Sequence, residues 1–160
     1  MKEVKIESTL YIFNSIKEVS KDIQNLMQLA AKARKNAYAP YSKFSVGAAL
    51  LLENGEIITG NNQENASYPS GLCAERTAIY YAGAQFPNVK ILTIAITAGS
   101  QTKKTSSPIP PCGACRQAIA EYEINQKTPI EIYFMGEIGK VVKSDSLANL
   151  LPLVFDKSVL

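Results

Sequence analysis

A chain of 160 residues is long enough to bury one core and too short for two comfortable ones, so one domain spanning residues 1–160 is expected. Its 46% hydrophobic and 19% charged residues fit an ordinary globular protein, and no apolar run approaches the ~18–20 residues of a bilayer span. The net charge of +3 is mild and its lysines are scattered, which argues against nucleic-acid or membrane partners and points to a small, weakly charged ligand.

The opening MKEVKIEST lacks the apolar core of an export signal, so a cytoplasmic location is expected. Val4, Ile6 and the run Leu10 to Phe13 predict an N-terminal strand. Ile23, Leu26, Met27, Ala30 and Ala31 recur at helical spacing. They predict a helix over about 19–35, capped by Ser20 and stopped by Tyr38-Ala39-Pro40-Tyr41. The apolar run Phe44 to Leu52 reads as a buried strand, Glu53-Asn54-Gly55-Glu56 as a hairpin turn, and Ile57 to Thr59 as the returning partner. A polar loop over 61–71 follows, then a helix from Cys73 to about Ala84. Val89 to Ala98 is continuous and rich in β-branched residues, as a central strand should be. Gly99 to Pro111, with its Ser, Thr, Lys and three prolines, reads as a loop. The remainder predicts a helix from Cys112 to about Tyr122, a strand over 130–135, a short strand over 139–142, and a short helix over 144–151 capped by Ser144. Helices alternating with buried strands make this an α/β protein, a three-layer α/β/α sandwich around a central mixed sheet.

Histidine is absent, which removes Ser-His-Asp triads, Cys-His dyads, histidine bases and every His-liganded metal site. The three cysteines are an odd number that intrachain disulfides cannot fully consume. All of them fall at predicted helix starts. Cys112 and Cys115, in Pro-Cys-Gly-Ala-Cys, share one face of a first helical turn, where free N–H groups and the helix dipole favour thiolates. Cys73 opens another helix in Cys-Ala-Glu-Arg, and if the two helix ends face each other the three thiolates converge. Structural zinc sites are closed by four protein ligands, whereas catalytic ones keep a position for water. Glu75 is the one nearby carboxylate able to close the site. At i and i+2 on a helix, however, it and Cys73 point apart, so Glu75 better suits a neighbour of the metal-bound water. The bland alternative is three buried, inert cysteines. Three thiolates would also leave surplus negative charge on the ion; the helix ends offset part of it, and Arg76 is the candidate cation for the rest.

These residues form the signature of zinc deaminases, a class with a three-cysteine variant. More specifically, the chain resembles the small homotetrameric cytidine deaminases from about Tyr38 to Phe155. The resemblance is carried, in order, by Tyr38-Ala39-Pro40-Tyr41-Ser42-Lys43-Phe44, Val46-Gly47-Ala48-Ala49, Asn62-Gln63-Glu64-Asn65-Ala66, Tyr68-Pro69, Cys73-Ala74-Glu75-Arg76-Thr77-Ala78 and Pro111-Cys112-Gly113-Ala114-Cys115-Arg116-Gln117. Residues up to about 18 are an N-terminal extension outside these motifs. The resemblance implies one zinc per subunit on Cys73, Cys112 and Cys115, with Glu75 as proton shuttle. The implied reaction hydrolyses cytidine and deoxycytidine to uridine and deoxyuridine plus ammonia, in pyrimidine salvage. It further implies that Asn62 and Glu64 hold the ribose, that Phe44 packs on the pyrimidine, and that main-chain groups of Ala74 and Pro110 read the base edge. Ala66, Tyr68 and Phe155 would reach the pocket of a neighbouring subunit in a homotetramer with shared active sites. Pro110 stands where many relatives have Ser; a carbonyl role survives that change, but an N–H or side-chain role does not.

Pattern alone gives plainer readings: Phe44 as a core residue at a strand start, Asn62 and Glu64 as solvated loop residues. Two other functions compete. One is deamination of a related amine such as blasticidin S on the same scaffold. The other is a non-catalytic, zinc-stabilised interaction module in which Glu75 is dispensable. Polynucleotide editing fits poorly, because those deaminases usually carry His in place of Cys73 and need an open basic groove.

Overall fold

The period-two side-chain alternation of long, apolar strands demands cover on both faces of a sheet. In the computed structural model, which describes residues 1–160, six strands satisfy that demand within one sheet. They are β1 (Tyr11–Phe13), β2 (Phe44–Leu52), β3 (Ile57–Asn61), β4 (Ile91–Ser100), β5 (Glu131–Met135) and β6 (Val141–Ser144). Their spatial order is β1-β6-β5-β4-β2-β3; β4 and β5 run parallel and the other pairs antiparallel. Helix α1 (Lys21–Arg34) lays Ile23, Leu26 and Met27 on the face that also carries Ala49, Ala95 and Tyr133. Helices α2 (Ala74–Gln85) and α3 (Gly113–Gln126) cover the opposite face, where Ala78, Ile79 and Ile119 meet Leu50, Ile94 and Ile96. This is the expected three-layer α/β/α sandwich with a mixed sheet.

Local chemistry accounts for most element ends. Ser20 caps α1, its Oγ accepting from the Ile23 amide at 3.4 Å. Gly55 turns the β2–β3 hairpin at φ +86°, where a side chain would be strained. The N-terminal strand is shorter than expected. Val4 and Ile6 lie exposed and outside regular structure, because only Tyr11–Phe13 find partners, at residues 141–143 of β6. Asn61 closes β3 rather than opening the loop. Helix α3 continues past Tyr122 to Gln126 and ends on Lys127 in the left-handed conformation, a stop that no glycine announces. Ser144 does not cap a helix over 144–151. It ends β6 with its Oγ donating to the Ser146 carbonyl at 2.7 Å, while Ser146 caps a 3-10 turn, Leu147–Asn149. No helix is long and apolar enough to cross a membrane.

The seat of α2 positions the cysteines and is unusually close. A Cβ on Gly60 of β3 would lie 2.6 Å from the Ala74 carbonyl oxygen and 2.7 Å from the Ala78 nitrogen. Backbone rests on backbone there, which is why Ala74 and Ala78 are small and fully buried. Gly60→Ala is therefore expected to lower the free energy of unfolding by about 1–3 kcal/mol in urea titrations, the usual cost of overpacking. Wild-type stability in that variant would contradict the close seating of α2.

Candidate active site

Cys73 and Cys112 occupy the N-cap positions of α2 and α3, and Cys115 sits in the first turn of α3. Neither N-cap cysteine spends its side chain on capping, so the first-turn N–H groups of both helices stay available as positive partial charge. The two helix starts face each other. The Cys73 and Cys112 sulfurs are 3.8 Å apart, those of Cys112 and Cys115 3.6 Å, and all three lie within 4.8 Å of one another. None is in a disulfide. Zinc–sulfur bonds of about 2.3 Å at tetrahedral angles place sulfurs about 3.8 Å apart, so this donor set fits a zinc ion. Three ligands without a fourth soft donor leave one coordination position for a small molecule.

Glu75, on the first turn of α2, is buried beside the sulfurs. Burial pushes its carboxyl up to about 7, and negative charge on Cys73 adds to the rise. The neighbouring Cys115 thiol pulls the Cys73 thiol down from its ordinary range, with Arg76 assisting. Cys115 is pushed up by its proximity to Cys73 and by burial. A dication arriving here displaces thiol protons, so metal uptake and proton release are coupled. Arg76 reaches the cluster directly, its Nη2 lying 3.8 Å from the Cys73 sulfur.

Cys73, alone of the three cysteines, lines a cavity of about 440 Å³ together with Asn62, Glu64, Tyr68 and Arg76 among others; Cys112, Cys115 and Glu75 lie outside its lining. Asn62 is buried rather than solvated. Its Oδ1 accepts from the Val46 amide at 2.7 Å and its Nδ2 donates to the Phe44 carbonyl at 3.0 Å, which fixes the start of β2. Glu64 accepts from the amides of Tyr41 at 3.0 Å and Ser42 at 3.3 Å, and from the Ser42 hydroxyl. The Ser42 bond leads in holding its carboxyl below the usual carboxylate range. Ser42 also accepts from the Phe44 amide at 3.0 Å, so Ser42, Phe44, Asn62 and Glu64 form one network.

The structure thus gathers Cys73, Glu75, Arg76, Cys112 and Cys115 at the helix starts, with buried Ala74 between two of them, and puts Asn62, Glu64 and Tyr68 on the adjoining wall. Phe44 is half-buried and joins the wall through its main chain. Ala66 and Phe155 are exposed and do not line this cavity, whereas Tyr68 lines it while remaining 74% exposed. Ser42, within the Tyr38–Phe44 motif, has a part in the site that its residue type alone does not announce. Its signal was a hydroxyl two residues before a strand, a common local hydrogen-bonding position. Arg116, too, makes a contact that helical spacing does not announce. Its Nε donates to the Pro111 carbonyl at 2.9 Å.

Comparison with known proteins agrees with this geometry. A family described as "Cytidine and deoxycytidylate deaminase zinc-binding region" matches residues 20–129. The cytidine deaminase of Halalkalibacterium halodurans is 41% identical over 135 residues, 84% of this chain and 94% of that protein. That of Sporosarcina psychrophila is 40% identical over 136 residues, 85% of this chain and 93% of its own. The 1.6 Å crystal structure of cytidine deaminase from Burkholderia pseudomallei is similar with a TM-score of 0.72 and 40% identity, over 86% of this chain and 100% of that one. The chain therefore belongs to the cytidine deaminase family, hydrolytic enzymes with a zinc-binding region, and its three convergent cysteines make the site for one zinc ion per chain.

Proposed function

We propose that this protein hydrolyses the 4-amino group of cytidine and deoxycytidine, giving uridine or deoxyuridine and ammonia. The observation that carries this reading is a buried carboxyl, Glu75, beside three convergent cysteines, one of which, Cys73, shares a cavity with Asn62 and Glu64. Zinc, when bound by Cys73, Cys112 and Cys115, supplies the Lewis acidity that makes water a nucleophile near neutral pH. Glu75 takes the proton that water gives up and passes it to ring N3. Once the water oxygen has added to C4, Glu75 takes the second proton, from the new C4 hydroxyl, and delivers it to the amino group; the C4–N bond breaks, the C4 carbonyl forms and ammonia departs. Its burial next to the sulfurs supports this shuttle, since burial disfavours the charged carboxylate and so favours taking up a proton. Arg76 offsets the surplus negative charge of three thiolates on a dication, in concert with the two helix ends.

Hydrogen-bond bookkeeping supports a sugar hydroxyl as the second recognition point. After its bonds to Val46 and Phe44, Asn62 keeps one N–H to donate. Glu64, with the Ser42 hydroxyl on one oxygen and two amides on the other, keeps acceptor capacity on the first. A donor and an acceptor side by side suit a group that does both, as a 3′-hydroxyl does. The 3′-hydroxyl is common to cytidine and deoxycytidine. Phe44 is assigned to the pyrimidine face, and the main chain of Ala74 and Pro110 to its edge. The exposure of Tyr68 and Phe155 supports their service, with Ala66, to a neighbouring subunit of a homotetramer. A cytoplasmic, single-domain salvage enzyme completes the reading.

Glu75→Ala is expected to retain about one zinc per chain by metal analysis while cytidine turnover falls about 10²–10⁴-fold, the range for losing a general acid–base group. Full activity would reject the shuttle, and loss of the metal would instead make Glu75 a ligand. Substrate class is tested separately by turnover on cytidine, deoxycytidine, dCMP and blasticidin S. The two nucleosides are expected within about 10-fold of each other, because nothing in the bookkeeping reads the 2′-hydroxyl. A clear preference for dCMP or blasticidin S would overturn the nucleoside assignment.

A further inference from the structure

Arg116 and Gln117 have no part in the chemistry above, yet they bind two distant pieces of main chain. From the first turn of α3 the Arg116 guanidinium reaches back, its Nε donating to the Pro111 carbonyl at 2.9 Å. Its Nη1 donates to the Leu150 carbonyl at 2.7 Å, across 34 residues of sequence. Gln117 donates from Nε2 to the Phe155 carbonyl at 2.8 Å.

The stretch held in this way cannot hold itself. Pro108, Pro110 and Pro111 have no N–H to donate. No main-chain group from Ser106 to Pro111 takes part in a main-chain hydrogen bond, which leaves the Arg116 contact as the polar anchor of the stretch. Pro111 is itself buried, whereas Cys112, which follows immediately, is exposed and has little packing of its own. The Pro111 carbonyl shares a rigid peptide plane with the Cys112 nitrogen, and fixing one fixes the other.

We infer that Arg116 is a positioning residue for the zinc centre. By gripping the carbonyls of Pro111 and Leu150 together, it sets the direction from which Cys112 meets the metal and ties that turn to the C-terminal segment. The planar fork of arginine serves two acceptors in fixed directions, whereas lysine has a single ammonium on a flexible stem. The inference rests on the zinc centre but not on the identity of the substrate.

The test uses zinc-loaded, full-length protein. Arg116→Lys keeps the charge and the stem but loses the fork. It is expected to release zinc to a chelator at least about 10-fold faster than wild type, the usual scale for removing a group that orients a ligand. Hydrogen exchange is expected to speed up at residues 147–151, and the visible bands of the Co2+-substituted protein to shift, while the melting temperature changes little. Gln117→Leu should loosen residues 153–160 and leave zinc release unchanged. Should Arg116→Lys fail to fold, Arg116→Gln, which keeps donors but not the fork, gives the same readout. Wild-type zinc release with unshifted cobalt bands in a folded Arg116 variant overturns the positioning role. A wild-type protein that takes up no zinc would count against the zinc centre itself.

Discussion

Three sulfur atoms crowded within 4.8 Å of one another are an electrostatic problem before they are a metal site. As thiolates they repel, and a dication bound by all three still carries a surplus negative charge. The fold answers by starting two helices at the same place. Each helix end presents unpaired N–H groups equivalent to roughly half a positive charge, and Arg76 adds a full charge at the Cys73 sulfur. Because the chain has no histidine, a neutral ligand was not an alternative route to lower the charge. The placement of the remaining parts depends on that meeting of helix ends.

The meeting is enforced by packing remote from the chemistry. Strand β3 offers Gly60 where α2 lands, and Ala74 and Ala78 keep the helix against it. The core side of α2 and α3 is aliphatic, with Ile79 and Ile119 against Leu50, Ile94 and Ile96, so neither helix rotates without exposing apolar surface. Buried Glu75 takes its position from the same helix as Cys73, so any shift of one moves the other. The opposite wall is held differently, by hydrogen bonds rather than by packing. Ser42, Phe44, Asn62 and Glu64 satisfy one another and the edge of β2, so the polar side chains facing the cavity are already oriented.

How much of this was legible in the sequence depended on the range of the interaction. The i, i+3 spacing of Cys112 and Cys115 and the helix-opening position of Cys73 are local, and the convergence of the sulfurs followed once α2 and α3 shared a face of the sheet. The sandwich itself followed from periodicity and turn chemistry. Long-range polar contacts were not legible. Asn62 reads as a loop residue until β2 lies beside it, and Arg116 as an ordinary residue of a first helical turn until Leu150 folds back onto α3. The N-terminal strand is shorter than its pattern because Val4 and Ile6 alternate as strand residues do but have no partner, which pattern cannot register. Helix α3 was cut short because its left-handed terminus is a lysine, not a glycine.

The central claim is that Cys73, Cys112 and Cys115 hold one zinc ion and leave a fourth position for a small molecule. X-ray absorption at the zinc edge of the purified wild-type protein addresses it most directly. The expected first shell is three sulfurs at about 2.3 Å and one lighter oxygen or nitrogen scatterer at about 2.0 Å. A shell with fewer than three sulfurs, or protein that binds no stoichiometric zinc, would contradict the account.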